Sequence, residues 1–327
     1  MGNGNLILVT GGAGFIGSAL VHRLVNLGQE VIVVDKLTYA GRIENLPGGT
    51  KLMPIDLVDF EQLSKVIRIY KPSIIYHLAA ESHVDRSFHD PLVFTRTNVL
   101  GTHSLLEAIR RYDDGARIIH VSTDEVYGPA LDTPYSESDA LHPTSPYAAS
   151  KAGGDLIAHS YYITYGLDVV IARPSNAYGP RQHPEKLIPK AIIRLLLGMH
   201  VPIHGTGRQR RTWTYVEDLV DALLLLAQRG VKGEIYNIAS NEEKNVVEVV
   251  ETIAKILGVE PKIKFVKDRP VQDARYLLNT TKISALGWRA KTSFELGIKE
   301  TVKWYKENRW WWEPLISDEF FKRDEPY

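Results

Sequence analysis

The first half of the chain alternates short aliphatic runs with longer segments whose apolar residues recur at helical spacing. Continuous aliphatic runs are typical of parallel strands covered on both faces, and they predict strands at residues 6–10, 31–35, 74–78, 117–121 and 168–172. The segments between them have one apolar face each and predict helices at residues 15–27, 60–69, 91–112 and 146–165. This order predicts an α/β fold built on a doubly wound parallel sheet.

The pattern changes after residue 173. Proline and glycine become frequent at residues 174–189 and 202–207, and further helices are predicted at residues 187–197, 215–228, 246–257 and 293–307. No internal repeat or low-complexity segment is visible. The three tryptophans at 310–312 could form a platform for a carbohydrate, but packing against the rest of the protein is the simpler interpretation.

Composition narrows the classes of function. The 327 residues carry 39 basic and 39 acidic side chains, and without a basic excess we expect no nucleic-acid partner. The absence of cysteine excludes a thiol nucleophile, a disulfide and a thiolate-bound zinc. The eleven histidines show no ligand spacing, so we expect no metal site. No segment has the length and flanks of a signal peptide or membrane span, and we expect a cytoplasmic protein without membrane contacts.

A glycine-rich loop lies between the first predicted strand and the first predicted helix. Gly11 would make the tight turn, Gly14 would let the backbone approach a pyrophosphate, and Gly17 would let helix and strand pack closely. The helix that begins near Phe15 and Ile16 would direct free N–H groups at the phosphates. A glycine turn without a ligand is the simpler alternative, but strand, loop and helix in this order indicate dinucleotide binding.

Asp35 ends the second predicted strand, where a carboxylate can accept hydrogen bonds from both adenosine ribose hydroxyls. It would repel a 2′-phosphate, and only Lys36 follows it, so NAD is favoured over NADP. Asp56 could contact the adenine amino group or could be a helix N-cap, and the sequence leaves both open.

These signals predict a Rossmann-like NAD-binding domain at residues 1–172. Residues 173–327 would form mainly a smaller C-terminal substrate-binding domain, with residues 212–240 returning to the first domain.

Tyr147 and Lys151 are four residues apart at the start of a predicted helix, so both lie on one helix face. A nearby ammonium group would lower the pKa of the tyrosine towards that of a working base. The same lysine could hold the nicotinamide ribose. A surface aromatic–cation pair is the alternative, but the upstream cofactor loop favours a catalytic pair.

Two adjacent acids, Asp124 and Glu125, follow Thr123 directly after the fourth strand of the alternation. In open α/β sheets ligands gather at the carboxyl ends of strands. The alternative is a solvated loop or a helix N-cap. Beside a tyrosine base, two acids could divide into a general acid and a general base.

Together with the glycine loop and the Asn98-x-x-Gly101-Thr102 segment, these residues resemble the extended short-chain dehydrogenase/reductase superfamily. Residues 79–87, 122–128, 173–180, 184–189 and 310–314 are similar, more specifically, to the dTDP-glucose 4,6-dehydratases of deoxysugar biosynthesis. The resemblance covers nearly the whole chain.

The resemblance implies a hydro-lyase that uses NAD catalytically and converts dTDP-glucose to dTDP-4-keto-6-deoxyglucose. Tyr147 would take the proton of the 4-hydroxyl during oxidation at carbon 4, with Thr123 bonded to the same oxygen. Glu125 would abstract the proton on carbon 5, and Asp124 would protonate the departing 6-hydroxyl. Lys151 completes the implied catalytic set.

The resemblance also implies the ligand contacts. Cofactor contacts are implied for Gly11, Gly14, Phe15, Ile16, Gly17, Asp35, Lys36, Asp56, Leu57, Ala79, Ala80, Ser82, Asn98, Tyr147, Lys151 and Asn176. Substrate contacts are implied for Ser82, Thr123, Asn176, Glu185, Lys186, Leu187, Arg211, Asn245 and Tyr276. Of the four residues at 208–211, only one arginine is expected to reach the ligand. The helices at 91–112 and 146–165 form a dimer interface in related proteins, which implies a homodimer.

Val271 and Gln272 stand where the family usually has glycine and histidine, so the preferred nucleotide base stays open. Two other functions also stay open. A 4-epimerase or decarboxylase for nucleotide sugars would share Tyr147 and Lys151 but would not need the acid pair. A non-catalytic NAD-binding sensor would need none of these four groups.

Overall fold

The computed structural model describes residues 6–130 and 132–325, and it has strands and helices on the same chain segments that the periodicity predicts. The strands are β1 Ile7–Thr10, β2 Val31–Val34, β3 Lys51–Met53, β4 Ile74–His77, β5 Arg117–Val121, β6 Asp168–Pro174, β7 Asn176–Tyr178, β8 Val201–His204, β9 Arg210–Tyr215, β10 Ile235–Ile238, β11 Glu243–Asn245 and β12 Ile263–Val266. The helices are α1 Phe15–Asn26, α2 Phe60–Tyr70, α3 Val84–His89, α4 Pro91–Phe94, α5 Thr102–Tyr112, α6 Pro146–Tyr165, α7 Leu187–Leu196, α8 Val216–Arg229, α9 Val246–Leu257, α10 Thr281–Ala285, α11 Phe294–Glu307, α12 Arg309–Trp312 and α13 Glu319–Lys322.

Seven parallel strands form the central sheet, in the order β10-β6-β5-β4-β1-β2-β3. Alternate residues of one strand enter different hydrophobic clusters: Val9 packs in one, and Leu8 packs in the other. Both faces of the sheet are therefore covered, which explains why its strands read as continuous aliphatic runs. The prediction of a doubly wound α/β fold is confirmed.

The strands β3 and β10 are absent from the predicted set. β10 pairs with β6 at the edge of the central sheet, and α8 packs on α1, β5 and β6. Residues 216–238 therefore supply one strand of this sheet and one of the helices that cover it. β6 continues to Pro174, so the boundary predicted after residue 172 falls inside a strand. The division into two domains stays a prediction.

The helix predicted at 91–112 begins and ends at those residues, but it is not α-helical throughout. A π-helical segment, Thr95–Gly101, separates α4 from α5. Helix α6 packs closely against it, because a Cβ on Gly154 would lie only 2.9 Å from the Asn98 carbonyl oxygen. The backbones of α6 and the π-helical segment can approach this closely only where the side chain is absent.

Two small sheets and a separate hydrophobic cluster make up the rest of the chain. β9 pairs with β11 and β7, and β8 pairs with β12. The cluster joins α7, α9 and α11 and includes Trp311 and Trp312, each 2% exposed, whereas Trp310 is 60% exposed. Two of the three tryptophans thus pack as predicted. Within the described residues, no helix is long and apolar enough to cross a membrane.

Candidate active site

Two adjoining cavities open where the central strands end. The first, which we name the glycine-loop cavity, has a volume of about 210 Å³ and is lined by the turns after β1, β2, β4 and β5. The second, which we name the acid-pair cavity, has a volume of about 310 Å³ and extends between the central sheet and the smaller sheets. Both cavities share the lining residues Phe15, Ile16, Ser82, Ser122, Tyr147, Gln182, Glu185 and Lys186.

The glycine loop has the geometry that the spacing predicts. Gly11 adopts φ +68°, and a Cβ there would lie 2.6 Å from Ala79 Cα. A Cβ on Gly17 would overlap the Gly11 carbonyl oxygen. Both positions therefore require glycine, and the 12-residue helix α1 begins at Phe15 beside the cavity. Its first N–H groups and the positive end of its dipole suit a phosphate.

Asp35 lies in the wall of the glycine-loop cavity, with both carboxylate oxygens held by backbone donors. Oδ2 accepts from Ala13 N at 3.0 Å and Oδ1 from Leu37 N at 2.9 Å. Burial raises the pKa of Asp35 above its ordinary value, and these two bonds oppose that effect. A carboxylate fixed this way can accept hydrogen bonds from a ribose.

Asp56 lines the same cavity, where it lies 3.5 Å from the Lys36 ammonium. The helix-cap alternative for Asp56 is wrong, because the N-cap of α2 is Asp59, which accepts from Gln62 N at 3.1 Å.

Most of the residues predicted to contact the cofactor line the glycine-loop cavity. They are Gly11, Gly14, Phe15, Ile16, Gly17, Asp35, Lys36, Asp56, Leu57, Ala79, Ala80, Ser82, Tyr147 and Lys151. Asn176 lines the acid-pair cavity instead. Asn98 lines neither: its amide accepts from Glu81 N at 2.8 Å and donates to Glu81 O at 2.9 Å. Asn98 therefore fixes the loop that carries Ala80 and Ser82.

The acid pair follows β5 in a short 3₁₀ helix, Asp124–Tyr127. The Thr123 hydroxyl caps this helix by accepting from Glu125 N at 3.3 Å and donates to Asp124 Oδ1 at 3.2 Å. Thr123 and Asp124 are buried, and both acids line the acid-pair cavity. The acids thus cap no helix with their own side chains, and they line a cavity rather than a solvated loop.

Burial of the two acids changes their proton affinities. Burial raises the pKa of Asp124 to about 7, and the neighbouring Glu125 charge adds to this effect. Burial also raises the pKa of Glu125, while the Arg211 guanidinium opposes the rise. Asp124 can therefore carry a proton near neutral pH, which a general acid needs.

Tyr147 and Lys151 lie in the first turns of α6, which begins at Pro146 after the Ser145 N-cap. Both side chains are buried, and Tyr147 lies where the two cavities meet. Lys151 Nζ donates to Val121 O at 2.7 Å. Both residues also line the glycine-loop cavity, and their role as a catalytic pair stays a prediction.

The electrostatics of Tyr147 differ from the sequence-based prediction. Burial raises the pKa of the Tyr147 phenol above its ordinary value; the Glu125 and Asp124 charges act in the same direction, and a hydrogen bond with Thr123 opposes them. Burial lowers the pKa of Lys151 to about 8. The prediction treated the lysine as the dominant neighbour, but desolvation and the two acids outweigh it.

A buried polar group beneath the pair was missed by sequence reasoning. Asp155 Oδ2 accepts from Arg173 Nε at 2.8 Å, and Oδ1 lies 3.3 Å from His120 Nε2. Asp155 opposes the lowering of the Lys151 pKa. It lies one helical turn beyond Lys151, so the same i, i+4 spacing could have identified it.

The acid-pair cavity is lined by most residues predicted to bind substrate, namely Ser82, Thr123, Asn176, Glu185, Lys186, Leu187, Arg211 and Tyr276. Of residues 208–211, Gln209 and Arg211 line it, so Arg211 is the one arginine of this run that faces the cavity. The Asn176 side-chain oxygen is buried with no partner in the described part of the chain. A ligand in this cavity could satisfy it.

Asn245 lies outside the lining of both cavities. It is the N-cap of α9, where its side chain accepts from Glu248 N at 2.9 Å and the Glu248 carboxylate accepts from Asn245 N at 2.7 Å. The position of a capping box accounts for this asparagine without a ligand. Its contact with substrate stays a prediction.

Glu185 lines the cavities but is already paired. Its carboxylate accepts from Arg86 Nε at 2.6 Å, and its side chain is only 1% exposed. Lys186 is the N-cap residue of α7, and its ammonium group donates to Ser82 O at 2.6 Å.

Two further residues of the cavity wall, Thr144 and Asp273, were not among the predicted contacts and join the predicted Arg211 and Tyr276 in one cluster. Asp273 accepts from Thr144 Oγ1 and Tyr276 Oη, each at 2.6 Å, and Arg211 lies over the Tyr276 ring at 4.3 Å. Val271 and Gln272, which depart from the family pattern, also line the cavity. Thr144 and Asp273 are 129 residues apart in the sequence, and only the fold brings them together. No short sequence pattern could therefore have identified this cluster.

The chain matches the family model described as GDP-mannose 4,6 dehydratase over residues 8–301. It is 44% identical over 332 residues to the probable dTDP-glucose 4,6-dehydratase of Sinorhizobium fredii, a match that covers 94% of this chain and 95% of that protein. Its fold is similar to the structure of DesIV, the dTDP-glucose 4,6-dehydratase of Streptomyces venezuelae, with NAD and TYD bound. That similarity has a TM-score of 0.91 and 45% identity, and covers 95% of this chain and 99% of that chain.

The fold is also similar to that of UDP-glucose 4-epimerase from Thermus thermophilus in complex with NAD, with a TM-score of 0.87 and 35% identity over 93% of this chain and 99% of that chain. Epimerases and dehydratases thus share this architecture. The match to the family model and the identity to dehydratases over nearly the full length go beyond a shared fold. The chain belongs to the dTDP-glucose 4,6-dehydratase family of the extended short-chain dehydrogenase/reductase superfamily.

Proposed function

We propose that this protein dehydrates dTDP-glucose to dTDP-4-keto-6-deoxyglucose with recycled NAD, as a step of deoxysugar biosynthesis. One observation carries the proposal: Asp124 and Glu125 face the same cavity as Tyr147, at the point where that cavity meets the glycine-loop cavity. The dehydratase relatives, one of them solved with NAD and TYD, support the choice of substrate and cofactor.

The residues of the glycine-loop cavity fit a dinucleotide. The helix α1 N-terminus would hold the pyrophosphate, and Asp35 would accept from the adenosine ribose. Tyr147 would lie at the nicotinamide end, because it lines both this cavity and the acid-pair cavity. Lys151, one helical turn further along α6, would lie beside it. When bound, NAD⁺ supplies a hydride acceptor for carbon 4 and returns the hydride to carbon 6.

Tyr147 accepts the proton of the 4-hydroxyl as the sugar is oxidised at carbon 4. Thr123, which hydrogen-bonds to the tyrosine, holds the same oxygen as hydroxyl and then as ketone. The ketone acidifies the proton on carbon 5, which makes its removal by a carboxylate feasible.

Glu125 removes the proton from carbon 5, and Asp124 donates a proton to the departing 6-hydroxyl, so that one water leaves. The proton held by Glu125 returns to carbon 5 when carbon 6 receives the hydride. This assignment of the base role to Glu125 and the acid role to Asp124 follows from the burial and the neighbouring charges of each side chain. Asp124 is the more deeply buried acid and has a pKa of about 7, whereas Arg211 and Lys186 both favour the ionised form of Glu125. An acid and a base of this kind in one pocket are what elimination requires.

The diphosphate lies beside Lys186 and Arg211. Both are cations in the wall of the acid-pair cavity, and the guanidinium can bind phosphate oxygens in a bidentate manner. The unpartnered Asn176 oxygen can accept a hydrogen bond from a hydroxyl or N–H group elsewhere on the same substrate.

The protein is proposed to act in the cytoplasm as a homodimer. Four apolar side chains on α4, the π-helical segment and α6 support the dimer, because each is at least half exposed: Leu92, Leu100, Leu156 and Ile163. Such a surface is typical of a protein–protein interface.

The test is the product formed from dTDP-glucose by purified protein with substoichiometric NAD⁺. We expect a product lighter by one water over many turnovers. Asp124→Asn and Glu125→Gln should keep oxidation at carbon 4, read as nicotinamide reduction by absorbance, and lose water about 10²–10⁴-fold more slowly. Asp114→Asn, an exposed change outside both cavities, is the matched control.

Unimpaired dehydration in both acid variants would contradict the mechanism. An unchanged product mass with an altered sugar would assign an epimerase instead. If NAD binds and every dTDP-, UDP- and GDP-sugar stays intact, the protein is a sensor.

A further inference from the structure

The last described residues, 318–325, close one end of the acid-pair cavity, and we name them the C-terminal strap. Phe320, Arg323 and Glu325 line the cavity, although no sequence motif pointed to them. The strap contains the single-turn helix α13 and lies against elements from both sides of the cavity.

The strap is attached at its first residues to α3. Asp318 accepts from Arg86 Nη2 at 2.8 Å, and the Phe320 ring contacts the Arg86 guanidinium at 4.2 Å. The same ring packs edge-on against His83 at 5.5 Å. Since Arg86 also holds Glu185, the strap is linked to the region where the two cavities meet.

The other side of the strap is held by helix α7. Lys190 donates to Phe320 O at 2.8 Å and Arg323 O at 2.7 Å, while Arg194 donates to Phe321 O and Lys322 O at 2.8 and 2.9 Å. These carbonyls are the unpaired acceptors at the end of α13, where cations are most favourable.

Arg194 and Asp324 complete the attachment. The Arg194 side chain is 1% exposed and pairs with Asp324 at 2.8 Å, and Asp324 also accepts from His200 and Lys264. A guanidinium this buried needs polar partners, and both of its terminal nitrogens donate to the strap, while Nε has no partner in the described part of the chain. The strap is therefore a fixed wall of the cavity rather than a loose chain end.

Helix α7 sets the position of this wall relative to the acid pair. Lys186, Lys190 and Arg194 follow one another at intervals of four residues and share one helix face. Lys186 acts on the Glu125 charge, and each further interval of four residues is about 6 Å along a helix. The contacts of α7 with the strap thus begin at Lys190, about 6 Å along the helix from Lys186, and continue to Arg194.

We propose that the C-terminal strap forms the wall that contacts the nucleoside-diphosphate half of the substrate. This inference rests on the proposed function, because the sugar must lie at Tyr147 and the acid pair. Within the described residues, no hydrogen bond or ion pair joins the strap to Thr123, Asp124, Glu125 or Tyr147. The wall offers the ring of Phe320, which suits stacking on a base. It also offers the Arg323 guanidinium, which already bonds to His89 and Glu319 and has further N–H donors for a phosphate.

The experiment compares Phe320→Ala and Arg323→Gln with Lys322→Ala, whose exposed side chain belongs to the same strap but does not line the cavity. Phe320→Ala leaves the core residue Phe321 in place. On NAD-loaded protein we expect both cavity variants to bind dTDP about tenfold more weakly and to raise KM for dTDP-glucose by the same factor. We expect kcat within about twofold of wild type, unchanged NAD affinity, and a control that matches wild type.

Unchanged dTDP affinity in both cavity variants would overturn the inference. A raised KM with unchanged dTDP affinity would also overturn it, because the strap would then contact the sugar half. Failure of the proposed function would give a different result, because wild-type protein would then leave dTDP-glucose intact. The dTDP affinities of the variants would still show whether the strap contacts the nucleoside diphosphate. Circular dichroism and NAD binding identify a cavity variant that has lost its fold. The dTDP affinity of the other cavity variant then tests the inference.

Discussion

Replacing Asp124 by asparagine should make the protein more stable at pH 8 while it slows water loss. Asp124 is 3% exposed, and burial together with the Glu125 charge raises its pKa to about 7 from an ordinary value of 3.8. A buried acid of this kind resists ionisation, so the folded state keeps a proton that the unfolded chain releases. The mutation removes that conflict and preserves the shape of the side chain.

The sign and size follow from proton linkage. Below about pH 3 both states hold the proton, and Asp124 contributes no penalty. As pH rises from about 4 to 7 the unfolded chain ionises while the folded state does not, so stability falls, and the penalty is complete above pH 7. At 1.36 kcal/mol for each pKa unit, the interval between 3.8 and about 7 corresponds to about 4 kcal/mol.

The assay is thermal unfolding of NAD-loaded wild type, Asp124→Asn and the exposed control Asp114→Asn between pH 4.5 and 8.5. If 327 residues unfold as one unit, about 4 kcal/mol corresponds to a rise of about 6 °C in Tm. We expect the difference between Asp124→Asn and wild type to grow with pH up to about 7 and then level off. The Thr123 hydroxyl can still donate to the asparagine side-chain oxygen, so the bond seen at 3.2 Å is not lost.

A difference in Tm that does not vary with pH would refute the reasoning, and so would a less stable Asp124→Asn at pH 8. Either result would mean that Asp124 ionises as easily in the folded protein as in water. A more stable but slower variant would instead identify Asp124 as an acid whose position is costly to the fold and useful to catalysis.

Two further changes test the support around the site. Gly17→Ala should abolish NAD binding in titrations, because its Cβ would overlap the Gly11 carbonyl oxygen; retained affinity would contradict the tight loop packing. Asp155→Asn should lower the free energy of unfolding by about 3–5 kcal/mol in urea, because it leaves the buried Arg173 guanidinium without its partner charge at 2.8 Å; a loss below about 1 kcal/mol would show that the pair is dispensable.

Most of the central sheet could be predicted from the sequence, because its strands carry a signal of their own. β5 has the bounds Arg117–Val121 that the aliphatic run gives, and α6 has the bounds Pro146–Tyr165. β10 was missed because its four residues include Tyr236 and Asn237, so no continuous aliphatic run marks it. The π-helical segment was missed because the period of an apolar face hardly changes over seven residues.

The candidate site was predictable where function places residues close together in sequence. The glycine loop, the acid pair and the Tyr147/Lys151 spacing all fall within single turns or loops, and all of them line the two cavities. The pairing of Glu185 with Arg86 joins residues 99 apart, and the contact between Thr144 and Asp273 joins residues 129 apart. Such contacts depend on the fold, and a local pattern cannot contain them.

The electrostatics of the cavity link these local motifs to one another. The charge on Glu125 raises the pKa of Asp124 and of Tyr147, and burial raises all three. Each negative charge therefore opposes the next, so the cavity favours few ionised groups at once. Proton transfer from the 4-hydroxyl to Tyr147 and removal of the carbon 5 proton by Glu125 then belong to successive steps. The proton retained on Asp124 near neutral pH is the one available when the 6-hydroxyl departs. The adjacency of Asp124 and Glu125 in the sequence thus favours their opposite roles, because the charge on Glu125 strengthens the hold of Asp124 on its proton.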